Sequence, residues 1–300
     1  MNLADLKTFI AVAETGSINR AAARLNLTQP AVTRRVQSFE SEMGVPLLDR
    51  SSKPPTLTED GRRALAHARR VVSALDDLSS QVGARGGLAG EFRLGVAPGF
   101  AEAALGGPLD AVIRAFPRLT VRIVSNWSAR LLETLRGDVI DAAFVLLTEP
   151  QSAGKDLELR ALRHDNVVVV AARRATMPAS PELADLGRHP WVLNPVGCGF
   201  RAALQRALDR ARGDLNVRAE VQGYDLQLSL VARGIGLGLM PAARLKASAL
   251  KKDVKVIAVT DFRLTVTPAL VSRVDHHRLS AVLDLLAANS ARIGLAQMSA

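Results

Sequence analysis

Four arginines, Arg20, Arg24, Arg34 and Arg35, stand between Ser17 and Gln37 with no acidic residue among them. Guanidinium groups in such a stretch can face a row of phosphates without internal neutralisation. Gln29, Pro30, Thr33 and Arg34 lie in its second half. Glutamine can pair bidentately with adenine and arginine with guanine, and threonine can take a base edge or a phosphate. Lys53 adds a cation further along the chain. Catalytic chemistry is poorly supplied by comparison. The sequence holds no Gly-x-Ser-x-Gly elbow, P-loop or His-Glu-x-x-His, so a nucleophile, a phosphate cradle and a metal are all wanting, and no enzyme is expected. His276 and His277 are adjacent and point different ways on a helix, and no carboxylate or cysteine cluster completes a metal site. Cys198, the only cysteine, excludes an intramolecular disulfide, a Cys-rich metal site and redox sensing by a cysteine pair.

The basic stretch needs elements to present it. Asn2 caps a first helix with Leu3, Leu6, Phe9, Ile10 and Ala13 at helical spacing, and Gly16 stops it. Ser17 caps a second, short helix with Ile18, Ala21, Ala22 and Leu25 on one face. Thr28 caps a third, with Pro30 in its first turn, a buried stripe of Val32, Val36, Phe39 and Met43, and Gly44 at its end. Three short helices with a tight turn between the second and third have the layout of a helix-turn-helix, whose recognition helix offers its N-terminal residues to the major groove. Those residues are Gln29, Pro30, Thr33 and Arg34. Val45–Leu48 and Thr56–Thr58 then read as two strands of a wing with Lys53 near its tip, placed to reach a phosphate or a minor groove.

The segments Ala21-Ala22-Ala23-Arg24-Leu25, Thr28-Gln29-Pro30-Ala31-Val32-Thr33-Arg34 and Leu57-Thr58-Glu59-Asp60-Gly61 together resemble the signature of LysR-type transcriptional regulators. The resemblance implies DNA contacts by Gln29, Pro30, Thr33, Arg34 and Lys53. Lysine stands at the wing tip where family members often carry arginine, which suits a phosphate contact better than bidentate readout.

The chain has 300 residues and a formal net charge of +10, and hydrophobic residues make up 48%, which fits a folded protein of at least two domains. Only +3 of that charge falls in residues 1–90, so net charge does not locate the DNA site. No apolar run is long enough to span a membrane and the start lacks a secretory pattern, so the cytoplasm is expected.

Thr58 opens a long helix running to about Val82, with Leu65, Ala68, Val72, Leu75, Ser79 and Val82 spaced as an a/d seam, and Gly83, Gly86, Gly87 and Gly90 follow. The seam could meet a second copy or the chain's own C-terminal domain. The resemblance favours pairing, because LysR-type proteins dimerise through this helix. It further implies a homodimer or homotetramer on a roughly palindromic operator in double-stranded DNA, with RNA polymerase as the expected partner.

From Glu91 strands alternate with helices, which predicts an α/β domain with a mainly parallel sheet. Strands are expected at Phe92–Val96, Thr120–Ser125, Ala142–Leu146, Val167–Ala172, Trp191–Asn194, Gly236–Met240 and Leu264–Ser272. Helices are expected at Ala101–Phe116, Ala129–Arg136, Arg201–Arg212, Asp225–Arg233 and His276–Asn289. The glycine run at Gly234 to Gly238 follows a helix and is a helix stop, not a dinucleotide fingerprint.

Two successive α/β units make two lobes, with crossovers near Arg163–Asn166 and Thr260–Arg263. The fold class is α+β multidomain: a winged helix-turn-helix (1–58), a linker helix and hinge (59–90), and a two-lobed α/β effector domain (91–300). Lobe one takes 91–163 and 264–300, and lobe two takes 164–263. By resemblance this last domain is like the periplasmic binding proteins. Its cleft is the natural ligand site.

Helix starts beside strand ends nominate the cleft residues. They are Pro98, Gly99, Phe100, Trp127 and Ser128 in lobe one, and Cys198, Gly199, Phe200, Arg201 and Tyr224 in lobe two. The family's habits suggest an organic acid or aromatic metabolite as small-molecule effector, with no cofactor. The competing reading is a solute-binding or enzyme domain whose N-terminal helices serve only in assembly.

Overall fold

The computed structural model describes residues 2–52, 54–82, 88–100, 102–148, 154, 156–162, 164–274 and 277–296. They divide into two compact units, one of residues 1–87 and one of residues 88–300, with 137–139 grouped with the first.

In the first unit α1 (Leu3–Thr15), α2 (Ile18–Leu25) and α3 (Gln29–Met43) begin where their caps dictate. The side-chain oxygens of Asn2, Ser17 and Thr28 accept from the N–H groups of Ala4, Arg20 and Ala31. Each helix ends on a left-handed residue, Gly16, Asn26 and Gly44 in turn. At Asn26 the N–H of Leu27 reaches back to Ala22 O, which makes the turn between α2 and α3 tight. Small Ala21 and Ala22 let the helices close on a core of Leu6, Phe9, Val12, Val32, Val36 and Phe39, with the Phe9 and Phe39 rings 5.3 Å apart. Met43 does not continue the stripe. It lies in the last turn before Gly44, beyond the core, and is 41% exposed.

The strands β1 (Leu48–Asp49) and β2 (Thr56–Leu57) pair antiparallel, and α4 (Glu59–Val82) follows. Thr58 opens α4 by accepting from Gly61 N while its hydroxyl donates to Pro46 O. The long seam of α4 is divided. Leu65 and Ala68 are buried in the unit's own core and Val72 packs against it, whereas Val71, Leu75 and Leu78 remain exposed. The first half of the stripe is therefore spent inside its own unit. The side chains of Ser79 and Val82, and residues 83–87, lie outside the described residues.

The second unit opens with β3 (Ala89–Val96), α5 (Glu102–Ala115), β4 (Arg118–Ser125), α6 (Ser128–Arg136), β5 (Ala142–Leu147) and β6 (Leu157–Ala161). The chain then crosses on β7 (Asp165–Ala172) into α7 (Leu183–Gly187), β8 (Trp191–Leu193), α8 (Gly199–Arg210), β9 (Val217–Glu220), α9 (Tyr224–Ala232), β10 (Gly238–Pro241), α10 (Ala242–Ala247) and β11 (Val254–Ile257). It returns on β12 (Leu264–Arg273) to α11 (Ser280–Ala296).

Lobe one has β5, β3 and β4 in parallel, with β12 antiparallel to β5 and α11 packed on α5. Lobe two has β10 and β11 antiparallel to β7, and β8 parallel to β9. The mainly parallel expectation is thus corrected: among the described residues of this unit antiparallel pairs outnumber parallel ones. The crossover strands run into and out of lobe two in opposite directions and must pair antiparallel. The short strands β6, β9 and β11 were not anticipated.

One strand belongs to both lobes. Leu264, Thr265 and Val266 of β12 pair with Val167, Asn166 and Asp165 of β7, and the strand continues against β5 from Thr267 to Ser272. Pro268 sits where β12 changes partner, and its carbonyl accepts from Leu162 N. At the first crossover Arg163 lies outside the described residues, and His164 Nδ1 stands 2.9 Å from Thr267 Oγ1. The glycine run after α9 acts as a stop and a seat. Gly234 is left-handed, and a methyl at Gly236 would stand 2.5 Å from Pro190 O.

Gly61 offers the sharpest test of the first unit's packing. A Cβ there would stand 2.0 Å from Leu47 O, a backbone atom that cannot move without the wing. Gly61→Ala is expected to destabilise this unit by roughly 1–3 kcal/mol, the usual range for overpacking. Urea unfolding followed by circular dichroism reads it as an earlier first transition. An unmoved transition would mean that α4 and the wing are not in backbone contact.

Candidate functional site

The N-terminus of α3 displays what the sequence placed there. Gln29, Pro30 and Arg34 are exposed and Thr33 is half-buried on the same face, because Val32 and Val36 turn the opposite face into the core. The Thr33 hydroxyl donates to Gln29 O, leaving its lone pairs outward. Of the four arginines, Arg24 is tied to Glu14 of α1 at 2.7 Å. Arg20, Arg34 and Arg35 have no ion pair among the described residues. Arg20 and Arg35 were part of the acid-free stretch but not of the nominated contacts. Their freedom from carboxylates, visible only in the fold, adds them to the candidate phosphate-facing set.

The wing is held against this helix by one carboxylate. Glu40 Oε1 accepts from Leu47 N at 2.9 Å and Leu48 N at 3.0 Å, and its Oε2 meets Arg50 Nη2 at 2.6 Å. Glu40 is mostly buried, so these charge-assisted bonds are little weakened by solvent. At the base of the wing, hydrogen bonds from the Ser51 side chain and backbone hold the Asp49 carboxyl below the usual carboxylate range. Lys53, the nominated wing-tip cation, lies outside the described residues.

In the second unit the lobes meet at a narrow cleft. Lobe one contributes Ala97, Pro98, Trp127, Ser128 and Leu146 to its walls. Lobe two contributes Cys198, Gly199, Phe200 and Tyr224. The starts of α6, α8 and α9 converge here, and their first N–H groups carry partial positive charge. The walls stand close, leaving about 10 Å³ for a bound body, the size of one water. A larger hollow, about 330 Å³, lies beside α10, but its charged groups Arg244 and Asp225 already pair at 2.6 Å.

Ser128 is where it is because β5 outlasts β3. Pairing between them ends at Val96 and Phe144, so Leu146 N finds no strand partner and donates instead to Ser128 Oγ at 3.0 Å. The hydroxyl hydrogen of Ser128 is left to donate. Two aromatic rings hold the lobes together across glycines. A methyl at Gly197 of lobe two would stand 3.0 Å from Cδ1 of Trp127, and one at Gly99 of lobe one 2.9 Å from Cε2 of Tyr224. Both glycines have left-handed φ, +103° and +119°, which further restricts them to glycine.

Behind this wall a buried amide pair fixes the start of α9. Gln227 Nε2 donates to Val192 O, Asn194 Nδ2 donates to Gln227 Oε1, and Asn194 Oδ1 accepts from Gly223 N. Burial pushes the Cys198 thiol up, with N–H groups at the start of α8 pulling weakly the other way. Burial, helped by Cys198 and opposed by Arg244, holds the Tyr224 phenol well above the ordinary tyrosine range.

Seven of the ten nominated cleft residues therefore line one cavity. Three do not. Gly99 acts as the seat for Tyr224. Phe100 turns into lobe one, its ring 5.3 Å from that of Phe144. Arg201 stands off this wall with its charge paired: its Nη1 is held by Glu220 at 2.6 Å and by Asn194 O, because β9 brings an acid beside α8. Ala97 and Leu146 were missed. Leu146 ends a strand, the same signal that nominated Pro98 and Trp127.

Residues 3–62 match the family of bacterial regulatory helix-turn-helix proteins, lysR family, and residues 85–291 match the LysR substrate binding domain. A probable hydrogen peroxide-inducible genes activator of Mycobacterium xenopi is 38% identical over 146 residues, 48% of this chain and 77% of that protein. The HTH-type transcriptional regulator YofA of Bacillus subtilis (strain 168) is 27% identical over 248 residues, 83% of this chain and 84% of the relative. In fold, the chain is similar to a full-length OxyR variant from Pseudomonas aeruginosa, with TM-score 0.74, 20% identity and coverage of 97% and 98% of the two chains. It is likewise similar to CbnR in complex with its target DNA, with TM-score 0.60, 23% identity and coverage of 98% and 100%. With two family matches spanning most of its length, the chain belongs to the LysR-type transcriptional regulators, DNA-binding proteins with an effector-binding domain and not enzymes.

Proposed function

We propose that this regulator reads a roughly palindromic operator in double-stranded DNA through Gln29, Pro30, Thr33 and Arg34 of two α3 helices, with Lys53 of each wing on a phosphate. The observation that carries this reading is the exposed Arg34, free of any carboxylate among the described residues and one turn after Pro30 in α3. The assembly is a homodimer or homotetramer, built through the exposed half of the α4 stripe at Val71, Leu75 and Leu78. Their spacing of four and three suits a helix-to-helix seam. Residues 1–58 serve as the DNA-binding domain, 59–90 as linker and 91–300 as effector domain, in the cytoplasm, with RNA polymerase as the partner.

A small organic acid or aromatic metabolite held between the lobes adjusts this reading. The apolar walls of Trp127, Leu146 and Phe200 support the aromatic end of that range. The peroxide response in the name of the M. xenopi relative finds little support in the thiol: Cys198 is the only cysteine, and burial keeps it in the unreactive neutral form.

Fluorescence anisotropy with cognate and random duplexes at several salt concentrations tests the DNA reading. Arg34→Ala is expected to lower cognate affinity by about 1–3 kcal/mol, the discrimination of a bidentate base contact, and random-site affinity much less. Equal losses on both duplexes would remove Arg34 from base readout. Lys53→Ala is expected to weaken both duplexes alike and reduce the salt slope by about 1. For the seam, Leu78→Asp places a charge on an already exposed position, so the subunit should stay folded. Sedimentation is expected to show a smaller assembly, and an unchanged mass would place the interface elsewhere.

A further inference from the structure

Resting on the reading of the cleft as the effector site, we propose that Tyr224 recognises the effector's polar end, and that this end is an uncharged acceptor oxygen, as in an amide or ketone, in preference to a carboxylate. Tyr224 is only 4% exposed and lines the cleft, yet its hydroxyl has no hydrogen-bond partner among the described residues. That hydroxyl is not sealed from solvent, so on a cleft wall it stands open for a ligand atom to meet. Its ring cannot easily swing away, being seated on Gly99 and flanked by Phe200, whose centroid is 6.3 Å distant. The facing wall offers a second donor. Ser128 Oγ already accepts from Leu146 N, which occupies one of its lone pairs and leaves its hydrogen free to donate into the cleft. Two O–H donors on opposite lobes suit one acceptor oxygen between them.

Charge decides between a neutral and an anionic acceptor. Among the described residues no charged side chain lines the cleft, and the cations on its adjoining helices are committed, Arg201 to Glu220 and Arg244 to Asp225. The converging helix starts supply only fractional charge, about half an elementary charge each, and favour an acceptor dipole without neutralising a full anion. The two ionisable groups of the wall agree, since burial drives both Cys198 and Tyr224 toward their uncharged forms. The same desolvation acts on a carboxylate brought there. Trp127, Leu146 and Phe200 cover an apolar body, and a ligand larger than one water must part the lobes to enter.

The chain has a single tyrosine, so ¹³Cζ-tyrosine labelling of the full-length protein yields one resonance, that of Tyr224. Benzamide and benzoate, nearly equal in shape and different in charge, serve as probes at pH 7, with affinities from calorimetry. Benzamide is expected to bind at least about tenfold more tightly than benzoate and to shift the tyrosine resonance. Tyr224→Phe, which removes only the hydroxyl, is expected to weaken benzamide by about tenfold, as does Ser128→Ala to a smaller degree. If benzoate binds the better, or Tyr224→Phe leaves benzamide affinity unchanged, the proposal falls while the cleft remains the effector site. If neither probe binds or moves the tyrosine resonance, the cleft reading falls with it.

Discussion

The second unit depends on one strand that belongs to two lobes. β12 is hydrogen-bonded to β7 over Leu264–Val266 and to β5 from Thr267 onward, so the return crossover is itself part of both sheets. Pairing at this point constrains how the lobes can move. Sliding one lobe past the other would break the β7–β12 ladder, whereas rotation about it would need only small changes in a few dihedrals at residues 164–167 and 260–266. Residues far apart in sequence, Pro98, Trp127, Cys198 and Tyr224, line one cleft across that pair.

What the sequence made legible was local. Asn2, Ser17 and Thr28 cap the helices they were expected to cap, and Gly16, Asn26 and Gly44 end them, because caps act within one turn. The outward face of α3 followed, since a helix start and a buried stripe between them fix which side is exposed. Strand ends likewise nominated most of the cleft walls. Properties set by distant partners were not legible. Leu65 and Ala68 fit a seam for another chain equally well, and only the three-helix core shows that they are used within the unit. Arg201 looked free until β9 set Glu220 against it, and the strand directions depended on which way the chain crossed between lobes.

Pairing of cations separates structural from functional charge throughout the chain. Arg24, Arg50, Arg201 and Arg244 are each within 2.7 Å of a carboxylate and serve to hold elements in place. Arg20, Arg34 and Arg35 have no such partner among the described residues and stand on or beside α3, the helix proposed to face DNA. Glu40 shows the same economy in reverse. An acid on the third helix would repel phosphate, but this one is directed at the N–H groups of Leu47 and Leu48 and at Arg50, so it fixes the wing instead. Its exchange for a neutral residue would release both the wing and the charge.

The cleft follows a different logic, because its contacts are made for reversal. Trp127 on Gly197 and Tyr224 on Gly99 are aromatic faces against backbone, with no hydrogen bond or ion pair to break when they part. Such contacts close the lobes by dispersion and exclusion of water alone. A ligand bound as proposed would replace them with its own surface and gain in addition whatever the Ser128 and Tyr224 hydroxyls donate. Only that gain distinguishes the liganded closure from the unliganded one, and a ligand shifts a two-state clamp by no more than its difference in affinity for the two states. On the proposed reading, therefore, the apolar walls would determine whether a molecule fits, and the two hydroxyls whether its binding changes the clamp.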